Sequence, residues 1–269
     1  MAAAPRHVRV WDAPTRVFHW AFAGAFAAAW LTRDAAHLDV HEFLGYAFGA
    51  LLVFRLVWGF AGTRWARFET FPLSLAGALR YLAGLARGRH RRYLGHNPAG
   101  SWTIYALLFL GALEVGAGVL ALGAEKGEGP LAGRFGYRAG DLAHQAHEWI
   151  AWAMLAVVCV HLAGVLAGSL AERENLVASM LTGRKRTDAC ESGVRARGGI
   201  AAAMAAVLAV GALAWFHDAP EKSASRALPM DATWRSECGG CHLAYHPSLL
   251  TARSWDRMLE EQSSHFGED

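Results

Sequence analysis

Long apolar runs broken by short basic stretches lay out this chain. A bilayer core asks for about 20 mostly apolar residues per helix. Five segments meet that demand, near Arg16 to Thr32, Glu42 to Ala61, Ser101 to Leu122, His144 to Leu170 and Gly198 to Phe216. A sixth run, PLSLAGALRYLAGLA from Pro72 to Ala86, contains Arg80 and is too short to cross comfortably. It reads as an amphipathic helix lying at the membrane interface. The pattern predicts an all-α membrane protein with five transmembrane helices.

Composition agrees: 54% of the 269 residues are hydrophobic and 18% charged, a balance that points away from a soluble domain. A net charge of +3 is too mild for a nucleic-acid partner. The basic residues are unevenly spread instead. Sixteen Lys and Arg fall before the first run, between the second and third, and between the fourth and fifth; Arg33, Lys126, Arg134 and Arg138 are the four on the other side. Positive charge stays inside, so the amino terminus is expected in the cytoplasm and the segment from His217 outside it.

Ionisable groups at membrane depth are costly and mark functional sites. His19 lies in the first run, His41 opens the second, and His147 and His161 share the fourth. The last two are 14 residues apart, which puts them within about 40° of one helix face and about 21 Å apart along the axis. With the orientation above, His41 matches His147 in depth and His19 matches His161. Two bis-histidine haems b require this arrangement, each iron held by imidazoles from facing helices. His144 is the alternative to His147, but its 17-residue spacing to His161 turns the face by about 100°. His7, His37, His90, His96 and His217 lie outside the runs and read as surface or interfacial groups.

The segments VWDAPTRVFHW, HEFLGYAFGALLVFRLVWGFAG, GHNPAGSW, HEWIAWAMLAVVCVH and ENLVASMLTGRKR resemble the bacterial cytochrome b561 and nickel-hydrogenase b-type cytochrome family, over roughly residues 8–186. That resemblance implies a four-helix core binding two haems b through His19, His41, His147 and His161, and exchanging electrons with quinone. It also implies a multi-pass protein of the bacterial inner membrane. Members of the family include quinone-coupled hydrogenase subunits and a superoxide-oxidising branch, and fold alone does not choose between them.

Other polar groups in the runs carry two readings each. Arg55 falls 14 residues after His41; it pairs with a propionate of the cytoplasmic-side haem or snorkels to the headgroups. Glu114 takes a proton from quinol or is a neutral, hydrogen-bonded structural group. Gly116 and Gly118 permit close approach of a helix or macrocycle. Trp11, Trp20, Trp30, Trp58, Trp102 and Trp215 sit at the predicted ends, as an aromatic belt does.

The four cysteines make no disulfide framework, since only Cys238 and Cys241 form a pattern. That pattern is C-x-x-C-H: two thiols for the vinyl groups of one covalent c-type haem and His242 as an axial ligand. The tail's expected position outside the membrane is where such attachment occurs. For the sixth ligand, His246 is poorly placed, which leaves Met230, Met258 and His265. The stretch ECGGCHLAYHPSLLTARSWDRMLEEQSSHFGED resembles the dihaem cytochrome c family, and that resemblance points to His265. A single CxxCH implies a single c haem. So short a tail cannot bury a sizeable core, and the covalent haem is expected to nucleate its fold.

The expected layout is therefore a cytochrome b561-like transmembrane domain over 1–186, a basic cytoplasmic segment and fifth transmembrane helix over 187–216, a flexible linker over 217–233, and a periplasmic cytochrome c-like segment over 234–269. Its expected role is electron transfer between the quinone pool and periplasmic redox partners through two haems b and one haem c. The alternatives are a cytochrome b anchor subunit of a larger periplasmic oxidoreductase such as a hydrogenase, or a superoxide:quinone oxidoreductase. Expected partners are membrane quinone, a periplasmic cytochrome or oxidoreductase, the lipid bilayer and a second copy in a homodimer.

Overall fold

The computed structural model describes residues 6–89, 91–187, 192–226, 232–238, 249 and 252–261. After a short strand, β1 (Arg6–Arg9), the chain forms α1 (Ala13–Leu31), α2 (Leu38–Ala61), α3 (Leu75–Ala86), α4 (Pro98–Ala121) and α5 (Tyr137–Glu172). Then come α6 (Leu176–Thr182), β2 (Arg184–Thr187), α7 (Gly198–Arg226), α8 (Ala232–Cys238) and α9 (Ala252–Glu260). Local chemistry sets the helix starts. Asp12 accepts from the Thr15 amide at 2.8 Å, and Asn97 from Gly100 at 2.8 Å, each just ahead of a proline in the first turn. Those side chains satisfy amides that have no partner in the helix itself.

Among the described residues, four helices are long and apolar enough to cross a membrane: α2, α4 with its extension to Lys126, α5 and the Gly198–Phe216 part of α7. The first of the five expected spans is not among them, because Arg16 and His19 lie in the first half of α1 and dilute its apolar run. The interfacial helix forms as α3, with Leu75, Leu79 and Leu82 exposed along one face and Ala78 and Tyr81 buried on the other.

The chain divides into two compact units, Met1–Leu213 and Ala214–Asp269. In the first, α1 packs on α2, α2 on α4, and α4 on both α3 and α5. Phe18, Ala25, Phe48, Leu51 and Met154 form the core, with Met204 and Leu208 of α7 against it. Phe22 stacks on Phe48 at 3.9 Å. Large apolar side chains such as Val53, Phe60, Phe109, Leu162, Leu166 and Val210 face outward, as hydrocarbon solvent allows.

A ribbon absent from the all-α expectation joins the basic segments. β1 and β2 pair antiparallel, Arg6 opposite Thr187 and Arg9 opposite Arg184. Around it, Lys185 Nζ donates to the Tyr93 carbonyl at 3.1 Å, Arg92 pairs with Glu172 and Glu174, and the Val194 amide donates to Arg9 at 2.9 Å. The three arginine-rich segments thus form one layer at one end of the bundle. At the opposite end, Lys126 pairs with Glu42 at 2.6 Å.

In the second unit, Trp234 of α8 meets Trp255 of α9 edge-on at 4.9 Å. Residues 217–226, expected as flexible linker, instead continue α7. Extending a formed helix costs far less than nucleating one, so the small and charged residues there carry it on past Pro220.

Candidate functional site

Two pairs of histidines face each other inside the first unit. His41, one turn into α2, and His147 of α5 have ring centroids 6.0 Å apart and planes at 82°. His19 of α1 and His161, further along α5, have centroids 6.4 Å apart and planes at 51°. The depth-matched partners expected from spacing and charge are the ones brought together. His144 is not part of either pair; it turns to Glu125 at 3.3 Å.

These separations fit a metal between the rings. Two metal–imidazole bonds of about 2 Å, plus about 1 Å from each nitrogen to its ring centre, set facing rings about 6 Å apart. The far nitrogens are prepared for the same role. His41 Nδ1 lies 2.9 Å from the Ala29 carbonyl, and His147 Nδ1 lies 3.0 Å from the Glu114 carbonyl. Each carbonyl must be met by an N–H, which leaves Nε2 as the lone pair of each ring. Among the described residues, no three His, Cys, Asp or Glu side chains gather into a metal cluster. Histidines in twos suit a macrocycle that brings its own equatorial nitrogens.

Helix spacing leaves room for such a group. Among the described residues, the backbone of α5 makes almost no close approach to that of α1 or α2; the histidine pairs, and Trp30 against Trp152 at 4.8 Å, reach across instead. A Cβ on Gly118 would lie 3.0 Å from His147 Cε1, so glycine there lets the ring lie against α4. A Cβ on Gly116 would meet nothing within 4 Å.

Arg55 does not snorkel. It is 4% exposed, with its guanidinium 4.6 Å over the Phe68 ring, and its Nη1 has no hydrogen-bond partner. A buried guanidinium nitrogen without an acceptor fits an anionic group that the protein itself does not supply. Glu114 places its carboxylate 3.4 Å from His147 Nε2, and its other oxygen is buried without a partner.

Sequence reasoning missed His96. Read as a surface group, it is enclosed between Phe71 at 4.0 Å and Trp11 at 4.8 Å, with its Nδ1 buried and unpartnered. Burial and the positive neighbours Arg55, Lys185 and His161 hold its imidazole down to about 3. The signal was the Asn97–Pro98 cap beside it, which brings the chain back into the bundle at that point. Trp11 and Trp58 are also not belt residues: both are buried, and Trp58 Nε1 donates to Asp12 at 3.2 Å. The expected c-haem residues Cys241, His242 and His265 lie outside the described residues, as do Met230 and His246; Cys238 ends α8 and Met258 lies in α9.

The profile of the prokaryotic cytochrome b561 family matches residues 10–183, and that of dihaem cytochrome c matches residues 234–269. Three curated relatives carry the name "Probable Ni/Fe-hydrogenase B-type cytochrome subunit". The one from Azotobacter chroococcum mcd 1 is 26% identical over 65% of this chain and 87% of its own length. That from Rhodobacter capsulatus is 24% identical over 66% and 81%, and that from Rhizobium leguminosarum bv. viciae 25% over 66% and 88%. No solved structure matches the chain.

Proposed function

The chain belongs to the prokaryotic cytochrome b561 family, and from that membership we propose that it carries electrons across the bacterial inner membrane, between quinone and a periplasmic redox partner, through two haems b and one haem c. The family makes it an integral membrane cytochrome of electron transport. The observation that carries the finer reading is the double histidine pairing: ring separations of 6.0 and 6.4 Å on one shared helix.

The group contributes one-electron chemistry at its iron. The protein does the rest. Two haems b would be held by His41 with His147 and by His19 with His161. Ala29 and Glu114 orient two of these rings through their carbonyls. Arg55 would receive a carboxylate of the haem nearest it, and the packed helices exclude water, which lowers the solvent reorganisation that charge movement requires. In the tail, Cys238, Cys241, His242 and His265 would hold the covalent haem. The arginine-rich layer supports a cytoplasmic face at that end, and five crossings, with α1 counted as one, would carry the tail to the periplasm.

The relatives' names favour one particular partner class. They support the chain working as the membrane subunit of a larger oxidoreductase such as a hydrogenase, with its own tethered haem as an added exit. Pyridine haemochrome analysis of the purified protein tests the haem set: b and c in a 2:1 ratio is expected. One b haem per chain, or no covalent haem, removes the corresponding part. Reduction of each band by quinol, compared with reduction by a soluble cytochrome, tests the two exits. Co-purification with a periplasmic oxidoreductase subunit tests the partner.

A further inference from the structure

A cleft of about 620 Å³ opens at the arginine-rich end of the first unit. Trp65 and Phe71 line it from the chain before α3, Arg91 and His96 from the chain after α3, and Arg186 from β2. Gly95 lets the two flanks of α3 meet, since a Cβ there would lie 2.5 Å from Trp65 Cε3.

Neighbouring elements set the depth of this cleft. Trp65 lies just beyond the end of α2 at Ala61, and His96 just before the start of α4 at Pro98; both helices are long and apolar enough to span. Between them in the chain, α3 exposes Leu75, Leu79 and Leu82, the face that an interfacial helix turns to lipid. The cleft therefore stands at headgroup level, just outside the hydrocarbon.

Its charge is positive. Arg92 is matched by Glu172 and Glu174, and Glu69, the acid of the lining, is matched by Arg67 at 3.0 Å. Arg91 and Arg186 are exposed, and neither has a carboxylate partner among the described residues. The Arg186 backbone is tied down on both sides: its amide donates to Glu174 at 2.6 Å and its carbonyl accepts from Arg92 at 2.8 Å. Two cations on one cleft repel each other until an anion joins them. Trp65 Nε1, which can only donate, and His96 Nδ1 are buried without a hydrogen-bond partner, a state that costs free energy.

Guanidinium groups match the oxygens of a phosphate, and basic pockets at the ends of spans suit acidic lipid headgroups. We propose that this cleft binds the phosphate of an anionic phospholipid, held by Arg91 and Arg186, with Trp65 and Phe71 against the apolar part of the lipid. A free phosphate would satisfy the same arginines, but the headgroup depth and the aromatic lining favour the lipid. The site is independent of the redox centres and stands whether or not the histidine pairs hold haem.

Thermal unfolding of the purified holoprotein, delipidated in neutral detergent, tests it, with phosphatidylglycerol, phosphatidylcholine or inorganic phosphate added. Phosphatidylglycerol is expected to raise the midpoint at concentrations about tenfold lower than phosphatidylcholine, the order expected for two arginines meeting one anionic headgroup. Arg91→Gln combined with Arg186→Gln should abolish that preference. Arg80→Gln combined with Arg87→Gln, which removes as much charge outside the cleft, should keep it. Equal response of the wild type to the two lipids overturns the inference even if the variants do not fold. Equal loss of preference in both double variants also overturns it, because diffuse surface attraction then accounts for the effect. Protection by inorganic phosphate equal to that by phosphatidylglycerol assigns the cleft to a soluble anion and removes the lipid.

Discussion

Both ring nitrogens of His147 are addressed by one residue of α4: Nδ1 lies 3.0 Å from the Glu114 carbonyl oxygen, and Nε2 lies 3.4 Å from the Glu114 carboxylate. The carbonyl contact is backbone and survives any substitution, so the ring's orientation does not depend on the acid. The carboxylate faces the nitrogen offered to a metal and must yield when that position is filled. Glu114→Gln is therefore expected to keep haem bound, with a shifted potential for the haem at His41 and His147 alone. Loss of that haem in a redox titration of the variant would show that the carboxylate itself holds the site.

The histidine pairs make separate predictions. His41→Ala should remove one b haem and leave the other, as should His161→Ala, each changing the b to c ratio from 2:1 to 1:1 by pyridine haemochrome. If both variants retain the wild-type ratio, the assignment of axial ligands is wrong.

Gly118 is tolerated at its position only because it lacks a Cβ. Gly118→Ala puts a methyl 3.0 Å from His147 Cε1, which forces the ring or α4 to move at a cost of about 1–3 kcal/mol. Its b-haem content should fall toward one per chain while the haem at His19 and His161 keeps its spectrum. Gly116→Ala, with no protein atom within 4 Å of the new carbon, is expected to keep the wild-type b-haem content, and a loss there would place the macrocycle against α4 at that position.

Asp12 ties three elements together through Thr15, Trp58 and Thr63, and is 1% exposed. Asp12→Ala removes a helix cap worth about 1 kcal/mol and leaves buried donors unpaired at about 1–3 kcal/mol more. The thermal midpoint of the detergent-solubilised protein should fall markedly, with Asp12→Asn intermediate.

Acid sensitivity should trace in part to His96. Its imidazole is held down to about 3 in the folded chain, by burial first and by Arg55, Lys185 and His161 next. The unfolded chain binds that proton near the ordinary value of about 6.5. Between those values the unfolded state carries more protons, so stability rises with pH there and is lost as pH falls from about 6.5 toward 3. Above about 6.5 the group contributes no pH dependence. His96→Gln should flatten this part of a plot of unfolding midpoint against pH, and an unchanged acid limb would show that other groups account for it.

Much of the architecture was legible along the chain because each signal was local or periodic. The 14-residue spacing of His147 and His161 fixes a common helix face whatever surrounds it, and the arginine count sorts loops by side without reference to packing. The same arithmetic failed wherever a residue outside the apolar runs is brought back inward. His96 and Trp11 are buried against each other although 85 residues separate them, and no periodicity reports that. The ribbon of Arg6–Arg9 with Arg184–Thr187 is of the same kind: two short basic stretches carry no strand pattern until each meets its distant partner.

Helix positions, the sharing of loops between two ends and the pairing of histidines by depth follow from rise per residue, apolar length and charge, all properties of neighbouring residues. Which nitrogen of His41 and His147 is free, that Arg55 is enclosed by aromatic rings, and that His96 is buried were decided by tertiary structure. Those facts depend on which carbonyl, ring or carboxylate arrives from another helix, and burial turns each arrival into a choice of tautomer or an unscreened charge.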